Sequence, residues 1–279
     1  MPELPEVETV RRGLVPRLVG KRIVRLQQRR KDLRIPMPAK FASKVEGRTV
    51  RAIDRRAKYL LIRLDDGQTL IAHLGMSGRM TLHDAASAAA HPLDRHDHVV
   101  FDVEDGWQVR FNDARRFGMM LLVADDAVPR HKFFKGLGPE PLDATFDGPA
   151  LAERLAGRKT PIKAALLDQK TLVGVGNIYA CEALFLAGIS PRRSAHTVQG
   201  ERAIKLANAI KHVLARSIDD GGSTLRDHVQ PGGELGYFQT RFNVYDRAGI
   251  ACPTRGCGDT VRRLVQAGRS TFYCARCQR

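Results

Sequence analysis

Tyr59-Leu60-Leu61-Ile62-Arg63-Leu64-Asp65-Asp66-Gly67-Gln68-Thr69-Leu70-Ile71-Ala72-His73 is the stretch that decides how the first half of this chain folds. Two apolar runs, 59–64 and 69–73, flank a turn of two aspartates and a glycine. Short apolar runs bounded by such residues read as paired strands. The same pattern recurs outward at 22–26, 49–54, 98–103, 108–112 and 119–123, with Glu104-Asp105-Gly106 as a second turn of the same composition. Seven runs at this spacing predict an antiparallel sandwich or barrel. Ahead of them, Leu4, Val7, Val10 and Leu14 fall on one face of an amphipathic helix over 4–14. Behind them, 124–149 is loop-like and contains the stiff segment Gly136-Leu137-Gly138-Pro139-Glu140-Pro141, which reads as an interdomain hinge over 136–149.

After residue 150 the period becomes helical, at 151–156, 162–169, 178–187 and 201–218, with glycines at or near the helix ends. Residues 223–249 are mixed and glycine-rich near Pro231-Gly232-Gly233, and a cysteine-bounded hairpin follows from 250. The expected fold is therefore α+β: an antiparallel β-sandwich domain over 1–135 with a leading helix, the hinge at 136–149, a helical domain over 150–249 and a hairpin over 250–279.

The chain has 279 residues, enough for two cored domains, and 43% of them are hydrophobic. Lysine and arginine outnumber acidic residues 46 to 30, a formal charge of +16. An excess of that size predicts a polyanionic partner, since each neutralised phosphate releases condensed counterions. No run approaches the roughly 18 apolar residues of a membrane span. The acidic N-terminus lacks the apolar core of a signal peptide. A cytoplasmic, nucleoid-associated protein is expected, with nucleic acid and not membrane as partner.

Four of the five cysteines, Cys252, Cys257, Cys274 and Cys277, crowd the last 28 residues as C-x4-C, sixteen residues, then C-x2-C. Clustered pairs in a reducing compartment read better as a metal site than as disulfides. A four-thiolate set suits one structural Zn2+, held between two short strands as a zinc ribbon.

Three further features carry chemistry. If Met1 is trimmed, Pro2 becomes a secondary amine beside Glu3 and Glu6, able to attack an electrophilic carbon and form an iminium. Read alone, the same hexapeptide is also an ordinary helix lead-in. Gly174-Val175-Gly176-Asn177 fails as a dinucleotide motif, because Tyr179 stands where a third glycine belongs and no strand precedes it. It joins two helices instead, and the second presents its N-terminus to a phosphate, with Asn177 as cap or as contact. Finally, Leu74-Gly75-Met76-Ser77-Gly78 and Asn112-Asp113-Ala114-Arg115-Arg116-Phe117-Gly118 offer apolar wedges and guanidinium groups of the kind that fill the hole left by an extruded base. Each loop taken singly also reads as a plain hairpin turn.

These residues together resemble the formamidopyrimidine-DNA glycosylase family over essentially the whole chain. The resemblance rests on Pro2–Thr9, Arg55-Arg56-Ala57-Lys58-Tyr59-Leu60-Leu61, His73–Gly78, Arg115-Arg116-Phe117-Gly118, Leu137–Pro141, Gly174–Ala180 and Phe272–Gln278. It implies a base-excision repair enzyme with a helix-two-turns-helix module, which removes 8-oxoguanine and formamidopyrimidines from duplex DNA and then nicks the strand as an abasic-site lyase. It implies Pro2 as nucleophile at the sugar C1′, Glu3 as general acid with Glu6 in support, Lys58 in β-elimination and Arg269 in δ-elimination and phosphate binding. Met76, Arg115 and Phe117 match the void-filling triad, and His96, Arg158 and Asn177 match DNA-contact positions. Residues 223–240 correspond to the loop over the flipped base. No catalytic cofactor is implied, and a monomer is expected.

Two departures stand out. The family usually has C-x2-C where this chain has Cys252-Pro253-Thr254-Arg255-Gly256-Cys257, and Ala114 replaces a usual proline. Two rivals remain: the endonuclease VIII branch, which favours oxidised pyrimidines, and a non-catalytic zinc-ribbon DNA-binding protein.

Overall fold

The computed structural model describes residues 2–224 and 230–279 and divides into two units. One is the chain up to Lys135 together with Asp220–Tyr237; the other is Gly136–Asp219 with Phe238–Arg279. Met1, whose removal the expected chemistry needs, and 225–229, the middle of the expected base-covering loop, lie outside the described residues.

The first unit opens with α1 (Leu4–Leu18), which continues past the expected end at 14, through Pro16, because Leu18 also reaches the core. Two four-stranded antiparallel sheets follow. The first has the order β2 (Val50–Arg56), β3 (Tyr59–Leu64), β4 (Gln68–His73) and β8 (Met119–Ala124). The second has the order β1 (Ile23–Gln28), β6 (Asp97–Val103), β7 (Gln108–Asn112) and β5 (Arg79–His83). Short helices α2 (Phe41–Val45) and α3 (Ala85–Ala90) fill connections. Val7, Val10 and Leu14 of α1 join one core with Leu60, Ile62 and Leu64 of β3 and with Val99, Phe101, Val109 and Phe111 of the second sheet, so the apolar faces of both sheets and the helix close on each other. The expected sandwich is present, with one strand more than the seven read from sequence. β5 was missed because only Met80 in it is fully buried and its other residues are partly exposed.

In the second unit, α4 (Gly148–Leu155) is capped by Asp147, whose side chain accepts from the Ala150 N–H at 2.8 Å. α5 (Ile162–Leu167), α6 (Asn177–Leu186) and α7 (Glu201–Asp219) follow, then the hairpin of β9 (Val261–Gln266) and β10 (Arg269–Cys274). α6 is buried on nearly all sides, between α5, α7 and β10. Among the described residues no helix is long and apolar enough to cross a membrane.

Two boundaries differ from the expectation. The segment expected as a hinge is tied into the second unit, where the Gly138 N–H donates to Gln169 O at 2.8 Å and a Cβ at Gly138 would meet the Thr171 backbone at 2.8 Å. Asp220–Tyr237, expected within the helical domain, belongs to the first unit. There the Leu82 N–H donates to Pro231 O and Pro231 packs over Gly13.

Candidate functional site

In the first unit the candidate chemistry starts at the head of α1. Pro2 is buried, and Glu3 and Glu6 are 4% and 2% exposed. Proline in the first turn suits a helix start, and carboxylates there favour the positive end of the helix dipole. Glu6 uses both oxygens: Oε2 accepts the Glu3 N–H at 2.8 Å and Oε1 accepts the Ser223 N–H at 2.9 Å. It therefore locks the chain entering α1 to the segment arriving from residue 220.

Lys58 lies in the tight turn between β2 and β3 and is 8% exposed. Its neighbour His73 has no role among the expectations drawn from the sequence. That imidazole pairs across the sheet with Tyr59, ring centroids 4.8 Å apart, and its Nδ1 accepts the Gly75 N–H at 2.9 Å. Burial, reinforced by the positive charges of Lys58 and Arg34, pushes the His73 pKa down to about 4. It is therefore a neutral imidazole at physiological pH, within electrostatic reach of Lys58. The sequence signal is its place at the end of a strand and at the head of the His73–Gly78 stretch.

Met76, Arg115 and Phe117 sit on two loops stapled together by Asp113, a residue that sequence reasoning quoted but gave no role. Asp113 is 0% exposed; its carboxylate accepts from Ser77 Oγ at 2.6 Å and from the Gly118 N–H at 2.7 Å. The Arg115 N–H donates to Ser77 Oγ at 3.2 Å. Gly75 has φ +66° and a Cβ there would strike the Phe117 backbone at 2.3 Å, so this close approach admits only glycine. Phe117 is 43% exposed with the Arg115 guanidinium 4.8 Å from its ring, a rigid apolar tip backed by a cation. His96 adjoins these loops, its carbonyl accepting the Asp113 N–H at 3.0 Å.

Arg158, Asn177, Arg269 and the four cysteines belong to the second unit. Arg158 already pairs with Asp168 at 2.9 Å. Asn177 does not cap α6, whose cap is Gly176. Its Nδ2 instead donates to Ser270 O at 2.9 Å, and the same carbonyl accepts from Lys163 Nζ at 3.0 Å. The fully buried Lys163 also donates to Thr271 Oγ1 at 2.8 Å. These bonds fix the backbone beside the exposed Arg269 at the start of β10.

The donor set of the hairpin fits one tetrahedral metal ion. The four cysteine sulfurs lie within 4.8 Å of one another, with separations of 3.4 Å for Cys257–Cys277, 3.6 Å for Cys257–Cys274 and 3.8 Å for Cys252–Cys277. Zinc–sulfur bonds of about 2.3 Å place sulfurs about 3.8 Å apart. The wide first knuckle still closes, because Gly256 and Gly258 adopt φ +74° and +67° on either side of Cys257.

Three family profiles match in succession: the formamidopyrimidine-DNA glycosylase N-terminal domain over residues 1–120, the formamidopyrimidine-DNA glycosylase H2TH domain over 137–229, and the zinc finger found in FPG and IleRS over 249–279. The chain is 54% identical to the formamidopyrimidine-DNA glycosylase of Beijerinckia indica, covering 100% of both. It is similar in structure to the MutM (FPG) protein of Thermus thermophilus, with a TM-score of 0.86 and 41% identity over 99% of this chain and 98% of that one. A Lactococcus lactis FPG variant in complex with a Fapy-dG containing DNA gives a TM-score of 0.88 at 34% identity over 100% of each chain. The wild-type Lactococcus protein, in complex with an oxidised pyrimidine containing DNA, gives 0.87 at the same identity and coverage. The chain belongs to the formamidopyrimidine-DNA glycosylase family.

Proposed function

We propose that this protein is a bifunctional DNA glycosylase and abasic-site lyase of base-excision repair that acts as a monomer on oxidised purines in duplex DNA. The observation that carries the reading is the buried Pro2-Glu3 pair at the head of α1, in a chain that matches its family end to end.

With Met1 removed, the Pro2 nitrogen attacks C1′ of the damaged nucleotide. The bond from C1′ to the base breaks, its electron pair leaves with the base, and the base takes up the proton that the Pro2 nitrogen gives up. Glu3 delivers a proton to the ring oxygen as the sugar opens, which leaves an iminium between Pro2 and C1′. The iminium acidifies the C2′ proton; its loss expels the 3′ phosphate, and a second elimination expels the 5′ phosphate. Lys58 serves the first elimination and Arg269 the second, each offering a cation to a departing phosphate. Glu6 holds the backbone of Glu3 in place. Met76, Arg115 and Phe117 occupy the space left by the extruded nucleotide. His96, Arg158 and Asn177 contact the DNA. The Zn2+ held by Cys252, Cys257, Cys274 and Cys277 keeps the hairpin that carries Arg269 rigid.

Borohydride reduction should trap a covalent adduct with an 8-oxoguanine:cytosine duplex, and Pro2→Gly should weaken or abolish processing. No adduct with correctly processed protein, or an intact mass that retains Met1 on fully active enzyme, overturns the mechanism. The Lactococcus complex with an oxidised pyrimidine favours a second reading, broader lesion choice. Faster excision from a thymine-glycol duplex than from 8-oxoguanine:cytosine would replace the purine preference.

A further inference from the structure

The turn that carries Lys58 is bent in a way its residues do not favour. Ala57 has φ +54°, the left-handed region in which a Cβ crowds the neighbouring carbonyl. A non-glycine residue stays there only where its surroundings over-determine it. Here the hold is visible. Arg55, at the end of β2, donates from Nη1 to Ala57 O at 3.0 Å and from Nε to Glu8 Oε2 at 3.2 Å. Glu8 is buried in α1 and also accepts from Arg11 Nη2 at 2.8 Å and Nε at 3.0 Å, and from Arg12 Nε at 3.1 Å. Arg11 in turn donates from Nη1 to Ile53 O of β2 at 3.2 Å. Burial by itself would push the Glu8 carboxyl up, but the Arg11, Arg12 and Arg55 guanidiniums outweigh it and hold the group below the usual carboxylate range.

One ionised carboxylate thus fastens α1, the helix that follows Pro2, to both the second strand and the Lys58 turn. We propose that Glu8 and Arg55 are positioning residues, which hold the Ala57 carbonyl and with it the Lys58 amine in fixed relation to the helix that follows Pro2. Neither side chain is assigned contact with DNA or with a reacting atom. The proposal rests on the roles given above to Pro2 and Lys58.

The test is single-turnover nicking of a duplex with a preformed abasic site, using the full-length protein at saturating concentration. The variants are Glu8→Gln, Arg55→Lys, Lys58→Ala, and each of the first two combined with Lys58→Ala. Arg55→Lys keeps the charge but loses the two-point hold, and guards against misfolding of Glu8→Gln. Each single variant should slow nicking at least about tenfold. Added to Lys58→Ala, neither should slow it by more than about twofold, because the group they position is gone. Glu8→Gln and Arg55→Lys at the wild-type rate, or slowing that multiplies fully with that of Lys58→Ala, overturns the positioning proposal and leaves the role of Lys58 intact. Lys58→Ala at the wild-type rate overturns that role, and the proposal with it.

Discussion

The sandwich unit and the zinc hairpin hold functional side chains still by opposite means. In the sandwich, Val7, Val10 and Leu14 anchor α1 in a core shared with both sheets. A fully buried side chain of that kind contributes about 1.5–3 kcal/mol, and the bonds of Glu6 to the Glu3 and Ser223 N–H groups add a polar hold at the head of the helix. The hairpin has little to bury: Val261 and Phe272 join Cys257, Cys274, Val244 and, from α6, Cys181 and Phe185. Modules below about 40 residues usually need a metal or a disulfide to fold. The side chains proposed to do chemistry in the sandwich are therefore set by packing and buried hydrogen bonds, whereas the hairpin that carries Arg269 relies on its thiolate site as well as on the bonds from Lys163 and Asn177.

Metal removal tests that contrast most severely. Structural zinc contributes about 10–16 kcal/mol of apparent binding energy in small zinc modules. Chelation or Cys274→Ala should unfold the hairpin and lower duplex affinity by about a hundredfold or more in fluorescence anisotropy, through lost phosphate contacts. The thermal transition of the sandwich should stay in place; its disappearance would break the contrast. The next effect belongs to the sandwich. Asp113→Ala leaves the buried Ser77 hydroxyl and Gly118 N–H without their acceptor. At about 1–3 kcal/mol for each orphaned group, the denaturant midpoint of this unit should fall, with zinc content unchanged.

Two smaller effects depend on pH. The folded-state pKa of His73 is about 4, below its ordinary 6.5. Unfolding therefore takes up about one extra proton between these values, so stability falls as pH drops from 6.5 toward 4 and is flat above. Glu8 behaves as a depressed carboxylate: its contribution is complete above pH 4.5 and is lost below that as pH falls through its lowered folded value. His73→Gln should flatten the first window in urea titrations and leave the second. The smallest expected change is a rise of the His73 pKa in Lys58→Ala, read by NMR; no rise would show that Lys58 does not act on that imidazole.

Much of this was legible in the sequence because it rests on local pattern. Alternating and helical periods, punctuated by glycine and aspartate, located the longer helices and every sandwich strand but β5 to within a few residues, and cysteine spacing marked the metal site. Asp113, His73 and Lys163 were not legible, since a polar residue in a loop or an apolar helix does not reveal the partner that makes it important. Lys163 meets the Ser270 carbonyl 107 positions away, and Glu6 meets Ser223 across 217. The assignment of 220–237 to the first unit failed from sequence for the same reason.

By itself the sequence determined the kinds of element, the family, the metal-binding thiols and a proline beside two glutamates at the head of a helix. Tertiary structure alone decided that Glu6 joins two distant segments, that Asp113 staples two loops, and that Glu8 reaches through Arg55 to the turn of Lys58. Periodicity records what each residue does with its neighbours in the chain, while a buried hydrogen bond depends on which remote group the folded core brings within about 3 Å.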